Sequence, residues 1–219
     1  MKLNKKMKLV LASGSPRRKE LLGWLNIPFD IKSSDVEEVT DKVNPFEIAE
    51  DLAALKGRDV FSILSKNDSF GKEYFPFIIS SDTIVTLGDK VYGKPNDIED
   101  AKRMLLELEG KEHRVITGVF FTCLSEDGST RERVFSCESE VTFENIDRDL
   151  LEVYLASGES LDKAGAYGIQ GRSLCFISKI KGSYSNVVGF PITDFLREFK
   201  EFLGHKNSTN GEWRELFES

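Results

Sequence analysis

Apolar positions along the chain fall into short continuous runs and longer helical stripes, set apart by polar turns. Leu9 to Ala12 is a compact run that breaks at Ser13-Gly14-Ser15 and restarts behind Pro16 as Leu21, Leu22 and Leu25. Proline is at home in a first helical turn, and Ser15 can cap the free amides there. The pattern predicts strand, tight turn, helix. Phe29-Asp30-Ile31 reads as a short strand that enters the acidic loop Ser34 to Glu38. Asn44, Pro45 and Glu47 then mark a helix start, and Ile48, Leu52, Leu55, Ile63 and Leu64 carry its apolar stripe, with Lys56 inside it. Lys66 to Tyr74 is polar and reads as a loop.

Phe77-Ile78-Ile79 begins a buried strand, interrupted by Ser80-Ser81-Asp82-Thr83 and resumed by Ile84-Val85. A turn at Gly88-Asp89 leads back through Val91-Tyr92 to Gly93-Lys94-Pro95. A helix follows, capped by Asn96 or Asp97, lined by Ile98, Ala101, Met104, Leu105 and Leu108, and stopped at Gly110. Arg114 to Cys123 and Arg131 to Phe143 predict a long antiparallel hairpin turning at Glu126 to Ser129. Next come a helix from Asp147 to Ser157, a glycine-rich loop from Ala164 to Gly171, a strand from Leu174 to Ile180, and a second loop from Gly182 to Gly189. Pro191 opens a last helix lined by Ile192, Phe195, Leu196, Phe199 and Phe202. Gly204 to Ser219 is polar, anchored only by Trp213 and Phe217, and reads as an appended tail.

Strands that alternate with helices at both ends of a central hairpin predict an α/β fold with a mixed sheet. There is no internal repeat or low-complexity linker. The net charge of −7 argues against binding to a nucleic-acid polymer. The basic start is followed by too short an apolar run for a leader or a membrane span. Cys123, Cys137 and Cys175 form no CxxC pair, and His113 and His205 are too few for histidine-based chemistry. The chain is expected to be cytoplasmic.

Several polar groups stand beside apolar runs. The Ser13 to Ser15 turn, with its helix-terminal amides, Arg17 and Arg18, has the parts of an anion site, and equally those of a capped helix with a solvated arginine pair. Asp82 interrupts a run that is apolar on both sides, so it is either a structural turn cap or a functional carboxylate. Asp35, Glu37 and Glu38 form an acidic loop, a common solvated feature but also a source of hard oxygen ligands. Lys56 and Lys94 complete a set with chemical logic. Cations and amides would neutralise a triphosphate, one carboxylate would hold Mg²⁺, and another would activate water. No P-loop or GxGxxG fingerprint is present.

Taken in order, eight segments resemble the Maf family of nucleoside triphosphate pyrophosphatases. They are Leu11 to Arg18, Asp35 to Glu38, Leu52 to Lys56, Ser81 to Thr83, Gly93 to Pro95, His113 to Gly118, Ala164 to Gly171 and Gly182 to Pro191. The resemblance runs from Lys8 to Leu203 and leaves 204–219 outside it. It implies an elongated mixed β-sheet with flanking helices, forming two lobes around a central nucleotide-binding cleft, as in ITPase-like folds. It also implies hydrolysis of a nucleoside triphosphate to the monophosphate and pyrophosphate with Mg²⁺ or another divalent cation such as Mn²⁺; a homodimer would fit the family, and the short apolar run predicts no membrane partner. On that likeness Asp82 is the general base and shares a metal with Glu38. Ser13 and Arg18 bind phosphate, and Lys56 and Lys94 are catalytic phosphate contacts. Arg17, Thr83 and Gln170 match the branch that acts on dTTP, UTP and modified uridine triphosphates in a house-cleaning role. Gln170 suits that role, since a carboxamide can pair with a pyrimidine's alternating carbonyl and N–H edge. The alternatives are the sister activity on 7-methyl-GTP and a nucleotide-binding regulator of cell division or septation. Three positions depart from the family pattern, Gly57, expected to loosen its helix, and Ser80-Ser81 ahead of Asp82; the loop Lys66 to Tyr74 also looks longer than typical.

Overall fold

The computed structural model describes residues 6–66, 75–124 and 128–217. The expected loop at 67–74 and part of the hairpin turn, 125–127, lie outside the described residues. Among these residues seven strands form one mixed sheet: β1 (Met7–Leu11), β2 (Phe29–Ile31), β3 (Phe75–Leu87), β4 (Lys90–Tyr92), β5 (Glu112–Leu124), β6 (Thr130–Phe143) and β7 (Ile177–Gly182). Their order in space is β2-β1-β3-β5-β6-β7, with β4 also paired to β3. The β2, β1 and β3 strands are parallel, and the remaining pairings are antiparallel. At about 3.3 Å per residue, the long strands β3, β5 and β6 each run for roughly 40 Å, which makes the sheet elongated.

Helices cover both faces: α1 (Pro16–Gly23), α2 (Pro45–Ser65), α3 (Ile98–Leu108), α4 (Arg148–Ala156), α5 (Tyr184–Val188) and α6 (Ile192–Phe202). Ser15, Asn44, Asp97 and Asp147 each cap the helix that follows with a side-chain oxygen. The main core lies on one face of the sheet. There Phe77 and Phe121 meet α6 through Phe199 and Phe202, while Val115, Val141 and Phe143 meet α3 and α4 through Leu105, Leu108, Leu151 and Tyr154. Among the described residues the opposite face belongs to α2, which packs Ala49, Ala53, Ala54 and Val60 on Ile78, Ile84, Ile116 and Phe120.

That helix lies unusually close. A Cβ added at Gly118 of β5 would sit 2.2 Å from the Ala49 carbonyl oxygen. One added at Gly57 would sit 2.4 Å from the Phe120 ring and 2.5 Å from Ser80 Oγ, and that hydroxyl donates to the Ala53 carbonyl at 2.6 Å. Gly57 therefore does not loosen α2, which runs unbroken through it. The residue is small because the sheet leaves no room. The two departures at positions 57 and 80 belong to one packing arrangement.

Three local expectations are corrected. The polar stretch Ser80 to Thr83 does not interrupt β3, which is continuous. What breaks is its pairing. β1 accompanies β3 as far as Leu11 and Ile79, β4 takes over at Val85, and between them that edge has no strand neighbour among the described residues. The final strand starts at Ile177 rather than Leu174, because Arg172–Phe176 forms a 3₁₀ turn. The second glycine-serine loop contains α5, capped by Ser183.

The tail also folds onto the body. A 3₁₀ turn at Glu212–Leu216 places Trp213 and Phe217 in the main core, both buried. The Phe217 ring stacks on Phe199 at 5.6 Å and meets Phe77 edge-on at 5.9 Å, while its backbone bridges to Met7. Arg214 Nε donates to the Leu25 carbonyl at 2.8 Å. Described through residue 217, the tail shares the core rather than hanging from it.

Two stability outcomes are expected. Gly118→Ala should cost about 3 kcal/mol of unfolding free energy, because the obstacle is helix backbone. Gly23→Ala, whose new methyl meets nothing within 4 Å, should be neutral or slightly stabilising. Equal urea midpoints for the pair would contradict the close approach of α2. Phe217→Ala should cost about 3 kcal/mol as a core truncation; a thermal midpoint unchanged from the parent would show that the tail contributes nothing.

Candidate active site

The unpaired edge of β3 opens into a cleft. The chain leaves β1 at Leu11, makes the Ser13-Gly14-Ser15 turn beside that edge, and enters α1. The first turn of α1 contains two arginines and no acidic residue. Positive charge at a helix N-terminus runs against the macrodipole, so an anion bound there would relieve an unfavourable arrangement. Arg18 is anchored: Nε donates to the Gly189 carbonyl at 2.9 Å, Nη2 to Thr83 Oγ1 at 3.1 Å, and Nη1 to Ser13 Oγ at 3.4 Å. Burial lowers its pKa, Asp82 opposes that shift, and Arg17 adds to it. The guanidinium remains charged at any physiological pH.

Asp82 stands on the α2 side of β3, next to Ser80 in the strand's alternation. Its Oδ1 accepts from Lys56 Nζ at 2.6 Å, and the same ammonium lies 2.8 Å from Glu38 Oε2. Lys56 thus holds two carboxylates that come from a β-strand and a distant loop. Asp82 and Lys56 are largely shielded, with side chains 11% and 13% exposed, whereas Glu38 is 46% exposed. Asp82 Oδ2 has no protein partner among the described residues.

The cleft has two connected halves. One, of about 720 Å³, has an apolar wall of Val85, Val115, Ile169, Val187 and Val188, with Thr83 and Gln170 as polar points. The other, of about 930 Å³, is lined by Ser13, Gly14, Ser33, Ser34 and Glu38. Arg17, Arg18, Lys56 and Lys94 border both halves. All nine residues picked from the sequence, Ser13, Arg17, Arg18, Glu38, Lys56, Asp82, Thr83, Lys94 and Gln170, therefore line one cleft. Asp35 and Glu37 of the acidic loop do not.

Other groups at or behind the lining were not singled out individually from the sequence, although Tyr167, Thr117 and Asn186 lie within the family-like segments. Asp162 pairs with Arg17 at 3.2 Å and with Lys163 at 2.6 Å. Burial works against its charge, but the Lys163 bond and the Arg17 charge prevail, and its carboxyl is held below the ordinary value. Tyr167 lies in the wall of the apolar half, fixed by a 2.7 Å bond between its hydroxyl and His113 Nε2. Burial pushes that imidazole down to about 4, so it is neutral at physiological pH. Thr117 and Asn186 lie behind Thr83. These residues are separated in sequence from the turn and from Asp82, and only the fold brings them to the site.

The chain matches the family described as Maf-like protein over residues 8–202. The dTTP/UTP pyrophosphatase of Bacillus cytotoxicus is 41% identical over 196 residues, which span 89% of this chain and 95% of that protein. That of Bacillus mycoides is 42% identical over 196 residues, with the same coverage of 89% and 95%. That of Agathobacter rectalis is 37% identical over 197 residues, 88% of this chain and 96% of its own. A solved structure, the nucleoside-triphosphatase / dITP/XTP pyrophosphatase from Mycobacterium abscessus, aligns with a TM-score of 0.36 and 16% identity over 64% of this chain and 76% of that one, too slight a likeness to extend to function. With its sheet, its cleft and every predicted site residue inside the matched span, this chain belongs to the Maf-like protein family.

Proposed function

We propose that this protein is a nucleoside triphosphate pyrophosphatase acting on dTTP, UTP and modified uridine triphosphates, yielding the monophosphate and pyrophosphate in a house-cleaning role. The observation that carries this reading is the division of the cleft. A half with an apolar wall and a hydrogen-bonding carboxamide suits a nucleoside, the four cations bordering both halves suit a triphosphate reaching into the other, and Asp82 lines the first half beside Lys56, which borders both. Five cationic side chains (Arg17, Arg18, Lys56, Lys94 and Lys163) face three carboxylates there, in a chain whose net charge is −7.

Asp82 is the general base in this reading. Lys56 holds Oδ1, which leaves Oδ2 to take a proton from water. The water oxygen bonds to the α-phosphorus, the bond from that phosphorus to the α–β bridging oxygen breaks, and pyrophosphate departs with that oxygen. Ser13 and Arg18 line the phosphate half, two N–H groups of Arg18 have no partner among the described residues, and Lys94 has no ion-pair partner among them. Arg17 exchanges its Asp162 contact for substrate. Gln170, whose side chain makes no protein hydrogen bond among the described residues, reads the base together with Thr83.

Glu38 and Asp82 are drawn together by the ammonium of Lys56, and two hard carboxylates so close would suit Mg²⁺ or Mn²⁺ that takes its remaining ligands from phosphate and water. When bound, such an ion would neutralise charge on the triphosphate and the leaving pyrophosphate. Among the described residues there is no group of three or more His, Cys, Asp or Glu placed to hold a metal by itself. A cytosolic setting agrees with three free cysteines. No described helix is long and apolar enough to cross a membrane.

Asp82→Asn should lower kcat by about 10³-fold while leaving UTP binding within about threefold of the parent. Pyrophosphate release and calorimetric titration measure the two quantities, and an unchanged kcat would remove Asp82 from the chemistry. Across a panel of dTTP, UTP, CTP, GTP and 7-methyl-GTP with Mg²⁺, turnover should concentrate on the first two, and Gln170→Ala should shrink that preference by about tenfold. A panel led by 7-methyl-GTP would keep the reaction and replace the substrate; no turnover of any compound by protein that binds nucleotide would favour a regulator.

A further inference from the structure

Behind Thr83 runs a chain of three hydrogen bonds whose directions are determined by its far end. Thr117 Oγ1 lies 3.0 Å from the Asn186 carbonyl and 3.0 Å from Thr83 Oγ1. A carbonyl can only accept, so the single Thr117 proton belongs to Asn186. Thr117 then has only a lone pair to offer Thr83, and the Thr83 proton is committed to it. On its other side, Thr83 accepts from Arg18 Nη2 at 3.1 Å. One lone pair remains on Thr83, and Thr83 lines the apolar half of the cleft.

The anchor is firm. Asn186 is fully buried, its Nδ2 donates to the Val115 carbonyl and to Ser139 Oγ at 3.0 Å each, and its own carbonyl also accepts from Gly189 N at 2.9 Å. Thr117 is likewise fully buried and cannot exchange its partner for water.

We infer that Thr117, fixed by the Asn186 carbonyl, is a positioning residue that makes Thr83 a hydrogen-bond acceptor towards substrate, so that Thr83 reads a donor. In a nucleoside triphosphate that donor is the ring N–H of uracil or thymine, or a hydroxyl of the sugar. Cytosine presents a bare ring nitrogen at the corresponding position and meets lone pair with lone pair. The inference rests on the cleft being a nucleoside triphosphate site, and it adds a reason for base choice that lies outside the cleft wall.

The test is steady-state kinetics of the parent, Thr117→Val and Thr117→Ser on UTP, CTP and 2′,3′-dideoxy-UTP. In Thr117→Val the Thr83 proton is released and can turn towards substrate. If the donor is the ring N–H, the UTP-to-CTP ratio of kcat/KM should fall by about tenfold, mostly through KM. If it is the sugar hydroxyl, the parent's penalty on the dideoxy compound should fall by the same factor instead. Thr117→Ser keeps the hydroxyl and should retain both parental ratios. Ratios unchanged in Thr117→Val, or lost equally in Thr117→Ser, overturn the inference, as does a parent that discriminates neither analogue. Thr117→Ala, which removes the hydroxyl without adding bulk, must match the valine variant and replaces it if that variant does not fold. A parent that hydrolyses none of the triphosphates would instead fail the pyrophosphatase reading.

Discussion

The site depends on how closely α2 approaches the sheet. At Gly118 the helix backbone touches strand backbone, and at Gly57 it rests on Phe120 and Ser80 with no side chain between. Glycine at both places shortens the distance between helix and sheet, and the methyls of Ala49, Ala53 and Ala54 fill what is left. Lys56 is adjacent to Gly57, so the same contact that costs the helix some intrinsic propensity delivers an ammonium to within 2.6 Å of Asp82. A bulkier seam would move that ammonium away and leave a shielded carboxylate without its counter-charge, an expensive state.

Asp82 is admitted into β3 because the sheet splits there. β1 turns away after Leu11 and β4 has not yet begun, so a polar stretch can sit in an otherwise buried strand while facing a cleft. The alternation of the strand does the rest. Ser80 and Asp82 face α2, whereas Ser81 and Thr83 face Gly189 and Arg18 on the other side. One strand thereby turns a carboxylate to one wall of the cleft and a hydroxyl to the other. Arg18 ties this arrangement together, since its three bonds join the β1 turn, β3 and the end of α5.

Charge is arranged against local preference. Two arginines sit at the positive end of α1, and two carboxylates share a single lysine. Each is tolerable in a free protein because Asp162 and Lys56 serve as resident counter-ions. Each also becomes more favourable when a polyanion, or a cation carried with it, enters. In this way a chain of net charge −7 can keep an anion-binding cleft without exposing a basic surface.

Much of this was legible in the residues themselves. Capping residues and apolar periodicity located the helices, since both are properties of a few neighbouring positions; Ser15 and Asn44 cap where expected, and Asp97 is the one of two candidates that does. The polar groups beside apolar runs were visible as exceptions, and all nine residues assigned by motif line the cleft. What the residues alone determined, then, was which elements form and which polar side chains to look for at one site. The tertiary structure decided the rest: that Ser80 to Thr83 lies in an unbroken strand, that Gly57 tightens rather than loosens, that the tail enters the core through Phe217, and that Lys56 bridges Glu38 and Asp82. The reason is physical. Pairing edges, close approach and shared counter-ions are relations between residues far apart in the chain, and no local pattern encodes the distance between them.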